Sequence, residues 1–433
     1  MLTQLTESLW GDEAFSAVAV QKQFGDMVGV VMRDTAPPLF YVLGWVWGRV
    51  FGFSEVALRS LSLLLIGGTA VFAGMIVYRI QKKWKVASLT ALLTFFTPFL
   101  GQFGFEWRMY ALLAFTITGS IYFFVAKKWT GYVIFSLAAL YTHHFALFTV
   151  AGEGVVFLLT EFKWKWKKLK PFGVVGLLYL PWLYPMYLQT VRVRGSGFWL
   201  TAPTLEQVGE LVGKFLEGGG KILAIPVAAL LLFKDWWRVG KKWIELAMIF
   251  AAPIVLAFAV SHLVTPIFYD RYLLSVAVGT AVLLGLGTRG AGIWILAGMV
   301  VAYGYVSWGQ FTHPKKRPFR DMAGYVKTVM RPGDRLLNYN GRAHHLWESK
   351  YYGIPAPIYT AGGQLPFYVG VAQMTAEDTV RDLPKVKEGR LGVIASEPVD
   401  KIVLPGFKLL EYKQFGELVF GWWKNEGADG RLK

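Results

Sequence analysis

Two adjacent carboxylates, Asp12 and Glu13, open an amphipathic stretch that runs from Trp10-Gly11-Asp12-Glu13-Ala14 to about Phe24. Acids in a first helical turn complement the helix dipole and cap free N–H groups. The same pair can also take a proton. A sugar or side-chain hydroxyl, or an amine, is a poor nucleophile until a carboxylate removes its proton, an effect of roughly 10²–10⁴-fold. Cations recur beside apolar runs. Arg59 follows Glu55 by one helical turn, Arg108 lies in Glu106-Trp107-Arg108-Met109-Tyr110, and Arg271 lies in Tyr269-Asp270-Arg271-Tyr272. Arginines this close to hydrocarbon are costly and usually face a polar cavity, where a cation stabilises developing negative charge better than in water. Each has a structural reading as well. Glu55 and Arg59 can pair with each other, and Glu106 and Tyr110 fall on one helical face with Arg108 in reach. His143-His144 reads as an interfacial hydrogen-bonding pair or as half of a metal site.

Other pieces read as structure. Asp34 caps and Pro37-Pro38 start a helix that runs through Val50. Gly285-Leu286-Gly287-Thr288-Arg289-Gly290 fits a dinucleotide fingerprint, but no strand precedes it and membrane spans flank it, so it carries no nucleotide. His344 and Glu348 stand at helical i, i+4 spacing, and two ligands alone read as a surface pair.

The elements that must position these residues are set by composition. The 433 residues are 55% hydrophobic and only 17% charged, against about a quarter charged in soluble proteins. The deficit sits in apolar runs over the first three quarters, several near the ~20 residues that cross a bilayer core. In lipid such runs must satisfy their own hydrogen bonds, so they are helices. Predicted spans are Glu55–Tyr78, Val86–Gly104, Arg108–Ala126, Tyr132–Thr142, Phe145–Thr160, Pro171–Gln189, Ile222–Phe233, Ile244–Leu263, Tyr272–Gly287 and Ala291–Trp308. A net charge of +17 concentrates in short loops such as Arg79–Lys85, Lys163–Lys170 and Lys234–Lys242. That is the signature of membrane orientation and not of nucleic-acid binding. With those loops in the cytoplasm, residues 1–54, the turn at Glu106, the His143-His144 turn, the long loop Thr190–Lys221 and the turn Thr265–Arg271 share the outer face. A common outer cavity is expected there. Cysteine is absent, which excludes disulfides and thiolate metal sites, and Met1–Trp10 is too short and polar for a cleavable signal peptide.

The expected fold is therefore an all-α polytopic membrane bundle of about ten spans with a small α/β domain outside the membrane. Its parts are an outer-face segment 1–54, a transmembrane domain 55–308 and an extracytoplasmic domain 309–433. In the last, Arg320–Met330 and Ala376–Lys387 read as helices, and Arg335–Tyr339, Leu391–Ala395 and Leu409–Phe420 as strands.

The order of the motifs resembles the GT-C membrane glycosyltransferases, in the branch of protein O-mannosyltransferases and the lipid A aminoarabinose transferase. The resemblance is carried by Leu9-Trp10-Gly11-Asp12-Glu13-Ala14, Asp34 to Leu39, Phe51 to Glu55 with Leu58-Arg59, Glu106 to Leu112, Tyr141-Thr142-His143-His144 and Arg271-Tyr272-Leu273. It implies a polyprenyl-phosphate-sugar donor meeting a glycan, lipid or protein acceptor in an outer cavity of the cytoplasmic membrane. By the same resemblance Asp12 is the base and Glu13 its support. Arg59 suits the donor phosphate, Glu106, Arg108, Tyr110, His143 and His144 line the site, and Arg271 with Tyr272 approaches the lipid phosphate. A divalent metal is left open. Two departures stand out: relatives usually carry a transmembrane helix just before the Trp-Gly-Asp-Glu segment, and often a histidine where this chain has Ala36. As written, Glu55–Tyr78 is the first anchor. A transporter or flippase of lipid-linked sugars is the main alternative, but no internal repeat is visible. A sensor or scaffold with an outer binding domain leaves Asp12, Arg59 and Glu106 without a role.

Overall fold

The computed structural model describes residues 3–162, 166–195, 199–217, 240–339, 343–360, 365–384, 386 and 389–426. They form two compact units. The first comprises Thr35–Leu43 and Arg59–His313, the second Thr3–Asp34, Gly44–Leu58 and the chain from Pro314 on.

The first unit is helical, and the predicted spans that can be compared are helices. Glu55–Gln81, Lys241–Leu263 and Gly292–Thr312 are each long and apolar enough to cross a membrane, as is Trp166–Gly195. At 1.5 Å per residue the 27 residues of Glu55–Gln81 reach about 40 Å. Trp84–Phe96 continues through Pro98–Phe105 after a 57° bend, at Pro98, whose missing N–H interrupts the ladder. Tyr110–Ala126, Trp129–Leu140, Ala146–Thr160 and Leu274–Gly287 are shorter apolar helices. The predicted span Ile222–Phe233 lies outside the described residues, as does most of the basic loop after it. The long loop Thr190–Lys221 is not a plain loop: one helix persists to Gly195, and another occupies Leu205–Glu217.

Small residues let these helices approach. A Cβ on Gly285 would sit 2.1 Å from Thr90 Oγ1, and one on Gly119 2.2 Å from the Phe135 ring. Buried hydroxyls return to their own helix, as Thr90 does to the Val86 carbonyl at 2.9 Å and Thr118 to that of Ala114 at 2.7 Å. Glu153 is a fully buried acid on Ala146–Thr160. It accepts from Ser120 Oγ at 2.8 and 3.0 Å, and Ser120 meets Ser136 Oγ at 2.9 Å, so three helices share one polar contact. Glu153→Ala removes the carboxylate acceptor of the Ser120 hydroxyl in an apolar interior. A loss of about 1–3 kcal/mol is expected, read as a lower melting temperature in detergent, with Glu153→Gln closer to wild type. Unchanged melting of the alanine variant would show that this contact stabilises nothing.

The second unit is built on a six-stranded sheet of order β3-β2-β1-β4-β6-β5. Its strands are β1 Arg335–Asn338, β2 Ile358–Tyr359, β3 Thr379–Val380, β4 Leu391–Ala395, β5 Phe407–Phe415 and β6 Leu418–Asn425. The first four run parallel, while β6 is antiparallel to β4 and to β5. Helix Phe319–Val329 covers one face through Phe319, Met322 and Val326 against Ile394, Phe420 and Trp422. Leu337, Val393 and Trp423 form the other face's core. Two expectations need correction. Leu409–Phe420 is a hairpin, turned at Gly416-Glu417 with Gly416 at φ +57°, a conformation that suits glycine. The described residues of Ala376–Lys387 form no α-helix: Asp378 Oδ2 accepts the Thr375 N–H at 2.8 Å, closing a single 3-10 turn before β3.

Residues 3–34 and 44–58 join this unit instead of forming a separate N-terminal segment. Glu7 Oε2 accepts the backbone N–H groups of Lys315 (2.8 Å) and Lys316 (3.0 Å). Ser8 Oγ accepts that of Arg320 at 3.0 Å, and Tyr352 Oη accepts that of Leu9 at 2.7 Å. Helix Gly11–Gln21 then lies on helix Ala343–Tyr351, where Phe15 meets Trp347 edge-on at 5.2 Å.

Candidate active site

The acidic residues belong to the second unit. The loop before helix Gly11–Gln21 ends at Trp10, whose N–H donates to Glu13 Oε2 at 3.3 Å. Lys316 Nζ binds the same carboxylate at 3.0 Å, and the Glu13 side chain is fully buried. Glu13 is thus committed to capping and to an ion pair. Asp12, one residue earlier, is 27% exposed, and its Oδ1 stands 3.6 Å from His344 Nδ1. Of the two acids, only Asp12 presents a carboxylate to solvent.

Glu348, read above as half of a surface pair, is buried, and its Oε2 has no hydrogen-bond partner among the described residues. Burial pushes its pKa well above the ordinary carboxylate value; nearby Arg317 opposes this, and Glu13 and Asp12 add to it. Glu55, on its own element, does not need Arg59: it accepts from Tyr352 Oη at 3.0 Å and pairs with Arg320 Nη1 at 3.4 Å.

The basic and aromatic residues belong to the first unit. Arg271 lies in a single 3-10 turn, Asp270–Tyr272, ahead of helix Leu274–Gly287. Its guanidinium sits 4.8 Å from the Tyr269 ring centre and 5.7 Å from that of Tyr110, and Nη2 donates to Tyr269 Oη at 2.9 Å. Burial works against its charge, but Tyr110, Glu106 and Tyr269 outweigh it and hold the pKa above the usual arginine value. The Tyr272 ring lies tilted against that of His143 at 4.8 Å, and Tyr110 lies 6.3 Å from Tyr272 and 6.4 Å from His143. His143 is kept neutral first by burial, then by His144 and Arg108. His144 is also lowered by burial, although its Nε2 meets Gln189 Oε1 at 3.1 Å. Arg59 is fully buried. Among the described residues no three His, Asp or Glu side chains stand close enough to hold a metal ion.

Glu106 and Tyr110 do not share a helical face. Gln102–Phe105 is a 3-10 turn, Glu106 is extended, and the helix begins at Tyr110. They still come near one another through Arg271. Beyond Tyr269 an open cavity of about 390 Å³ is lined by Trp199, Thr201, Gln207, Lys214 and Asp270, with Trp199 edge-on to Tyr269 at 4.9 Å. Trp199 and Lys316 escaped the sequence reading, as did Glu153. An acid inside an apolar run is a functional or structural flag by itself, so Glu153 was findable. The others carry no local signal.

The chain combines a bundle of apolar helices with a small mixed-sheet domain, and a short acidic helix precedes the first long span in sequence, an architecture known from solved structures. Two solved structures share it: ArnT from Cupriavidus metallidurans in the apo state, at TM-score 0.68 and 14% identity, and the same protein bound to undecaprenyl phosphate, at 0.68 and 13%. Each alignment covers 97% of this chain and 95% of the other. No protein-family model and no curated protein sequence matches the chain.

Proposed function

We propose that this integral membrane protein is a glycosyltransferase that moves a sugar from a polyprenyl-phosphate donor to an acceptor at the outer membrane face. The observation that carries the proposal is Arg271, a half-buried guanidinium held charged between Tyr110 and Tyr269 just ahead of the apolar helix Leu274–Gly287. Such a group suits a phosphate that arrives on a lipid. The solved ArnT complex with undecaprenyl phosphate is consistent with that choice of donor class.

Asp12 removes the proton of the acceptor hydroxyl or amine, and the freed electron pair attacks the anomeric carbon. The bond from that carbon to the phosphate oxygen breaks, and its electrons leave with the lipid phosphate. One displacement inverts the anomeric configuration. Arg271, with Arg59 and Arg108, binds the phosphate whose charge grows, a role worth most where water is excluded. Glu106 holds Arg271 charged, while Tyr110, Tyr272, His143 and His144 shape the wall. Glu13 fixes the turn that carries Asp12.

The test is purified protein in lipid nanodiscs with a panel of polyprenyl-phosphate sugars and released lipid phosphate as the readout. Release with at least one donor, dependent on an acceptor, is expected. Movement of labelled lipid-linked sugar across a vesicle bilayer without any release would replace this reading with transport.

A further inference from the structure

Gly11 has no conformational reason to be glycine. It sits at the start of a regular helix, without a positive φ. What it provides is room. A Cβ there would lie 2.4 Å from His344 Cβ, 2.4 Å from Nδ1 and 2.6 Å from Cγ. Because the clash includes His344 Cβ, turning the imidazole cannot relieve it; the helix that carries His344 would have to move.

That helix is held firmly. Trp347 packs on Phe15, Tyr351 Oη donates to the Phe53 carbonyl at 2.6 Å, and the buried His345 meets Ser396 Oγ at 2.9 Å. The imidazole of His344 thus lies on the Gly11 backbone, with the Trp10 ring 6.0 Å away and Asp12 Oδ1 3.6 Å from Nδ1. At that separation the contact is not yet a hydrogen bond, and catalytic contacts of this kind tighten when substrate binds. The side chain is 47% exposed, so it stands open to the same solvent as Asp12.

We infer that His344 is a positioning residue for Asp12: the C-terminal domain seats an imidazole on Gly11 so that Nδ1 orients the carboxylate toward the acceptor's proton. The inference rests on the reading of Asp12 as the base. A mere surface pair would add little to stability and nothing to turnover.

The experiment measures kcat, the donor and acceptor KM, and melting temperature for a set of variants, using a donor that supports release. His344→Leu keeps bulk and loses the donor atom; kcat is expected to fall roughly 10- to 100-fold, the range for a displaced reacting group, with both KM values and the melting temperature unchanged. His344→Asn places an amide nitrogen near the position of Nδ1 and should retain most of kcat. Gly11→Ala should lose stability and turnover together, and Gly11→Ala/His344→Gly should regain stability while kcat stays low. Wild-type kcat in His344→Leu, or an equal fall in His344→Asn, overturns the inference. Full activity in Asp12→Asn would instead remove the reading of the base itself. An inactive Asp12→Asn beside a fully active His344→Leu removes only the role of His344.

Discussion

Asp12→Asn is expected to lower transfer by roughly 10²–10⁴-fold, the contribution of a positioned general base, while the protein inserts and melts like wild type. The substitution is nearly isosteric, and the hydrogen bond from Ser16 Oγ goes to the Asp12 backbone carbonyl at 3.0 Å, so it survives. The capping of the helix is carried by Glu13, which accepts the Trp10 N–H and binds Lys316. What the amide cannot do is accept the acceptor's proton. Initial rates with saturating donor and acceptor read the effect, and turnover within a few-fold of wild type would take Asp12 out of the reaction.

Arg271→Ala is expected to cost roughly 10²–10³-fold in kcat, the scale for removing one preorganised charge stabiliser, and to weaken binding of polyprenyl phosphate. Arg271→Lys should recover little. The guanidinium lies near two tyrosine rings and donates to Tyr269 Oη, a planar arrangement that a compact, strongly hydrated ammonium does not reproduce. Since the pKa of Arg271 is held above the usual arginine value, its contribution should be flat across any pH at which the protein stays folded. Tryptophan fluorescence or calorimetry with a short-chain polyprenyl phosphate would report the binding part. Equal affinity in the alanine variant would move the phosphate elsewhere.

The helices were legible because lipid leaves a chain few options. An apolar run long enough to cross must close its own hydrogen bonds, and Glu55–Gln81, Lys241–Leu263 and Gly292–Thr312 begin or end within a few residues of the expected limits. The residues around Arg271 were legible as well. Tyr110, His143 and Tyr272 each border an apolar run, and the structure brings them together. The bend at Pro98 and the 3-10 turn after it shift Glu106 out of the helix that periodicity assigned to it. The acidic half was harder. Nothing in Ala343–Tyr351, a polar nine-residue helix, announces that Glu348 is buried or that His344 fits against Gly11. Those relations join positions more than three hundred residues apart, and no local pattern encodes a partner at that range. The strand reading failed at Leu409–Phe420 for a local reason: a run of β-formers hides a two-residue turn unless Gly416 is weighed as a break.

The packing of Gly11–Gln21 on Ala343–Tyr351 also sets a schedule for biosynthesis. A ribosome adding 5–20 residues per second needs about 15–65 s to travel from Gly11 to His344. Throughout that interval the segment bearing Asp12 has no partner surface, and apolar side chains such as Phe15 and Val20, buried in the finished protein, await their cover. A nonsense codon anywhere before Ala343 would therefore silence the acidic turn as surely as a change at the turn itself, even where every preceding span has entered the bilayer.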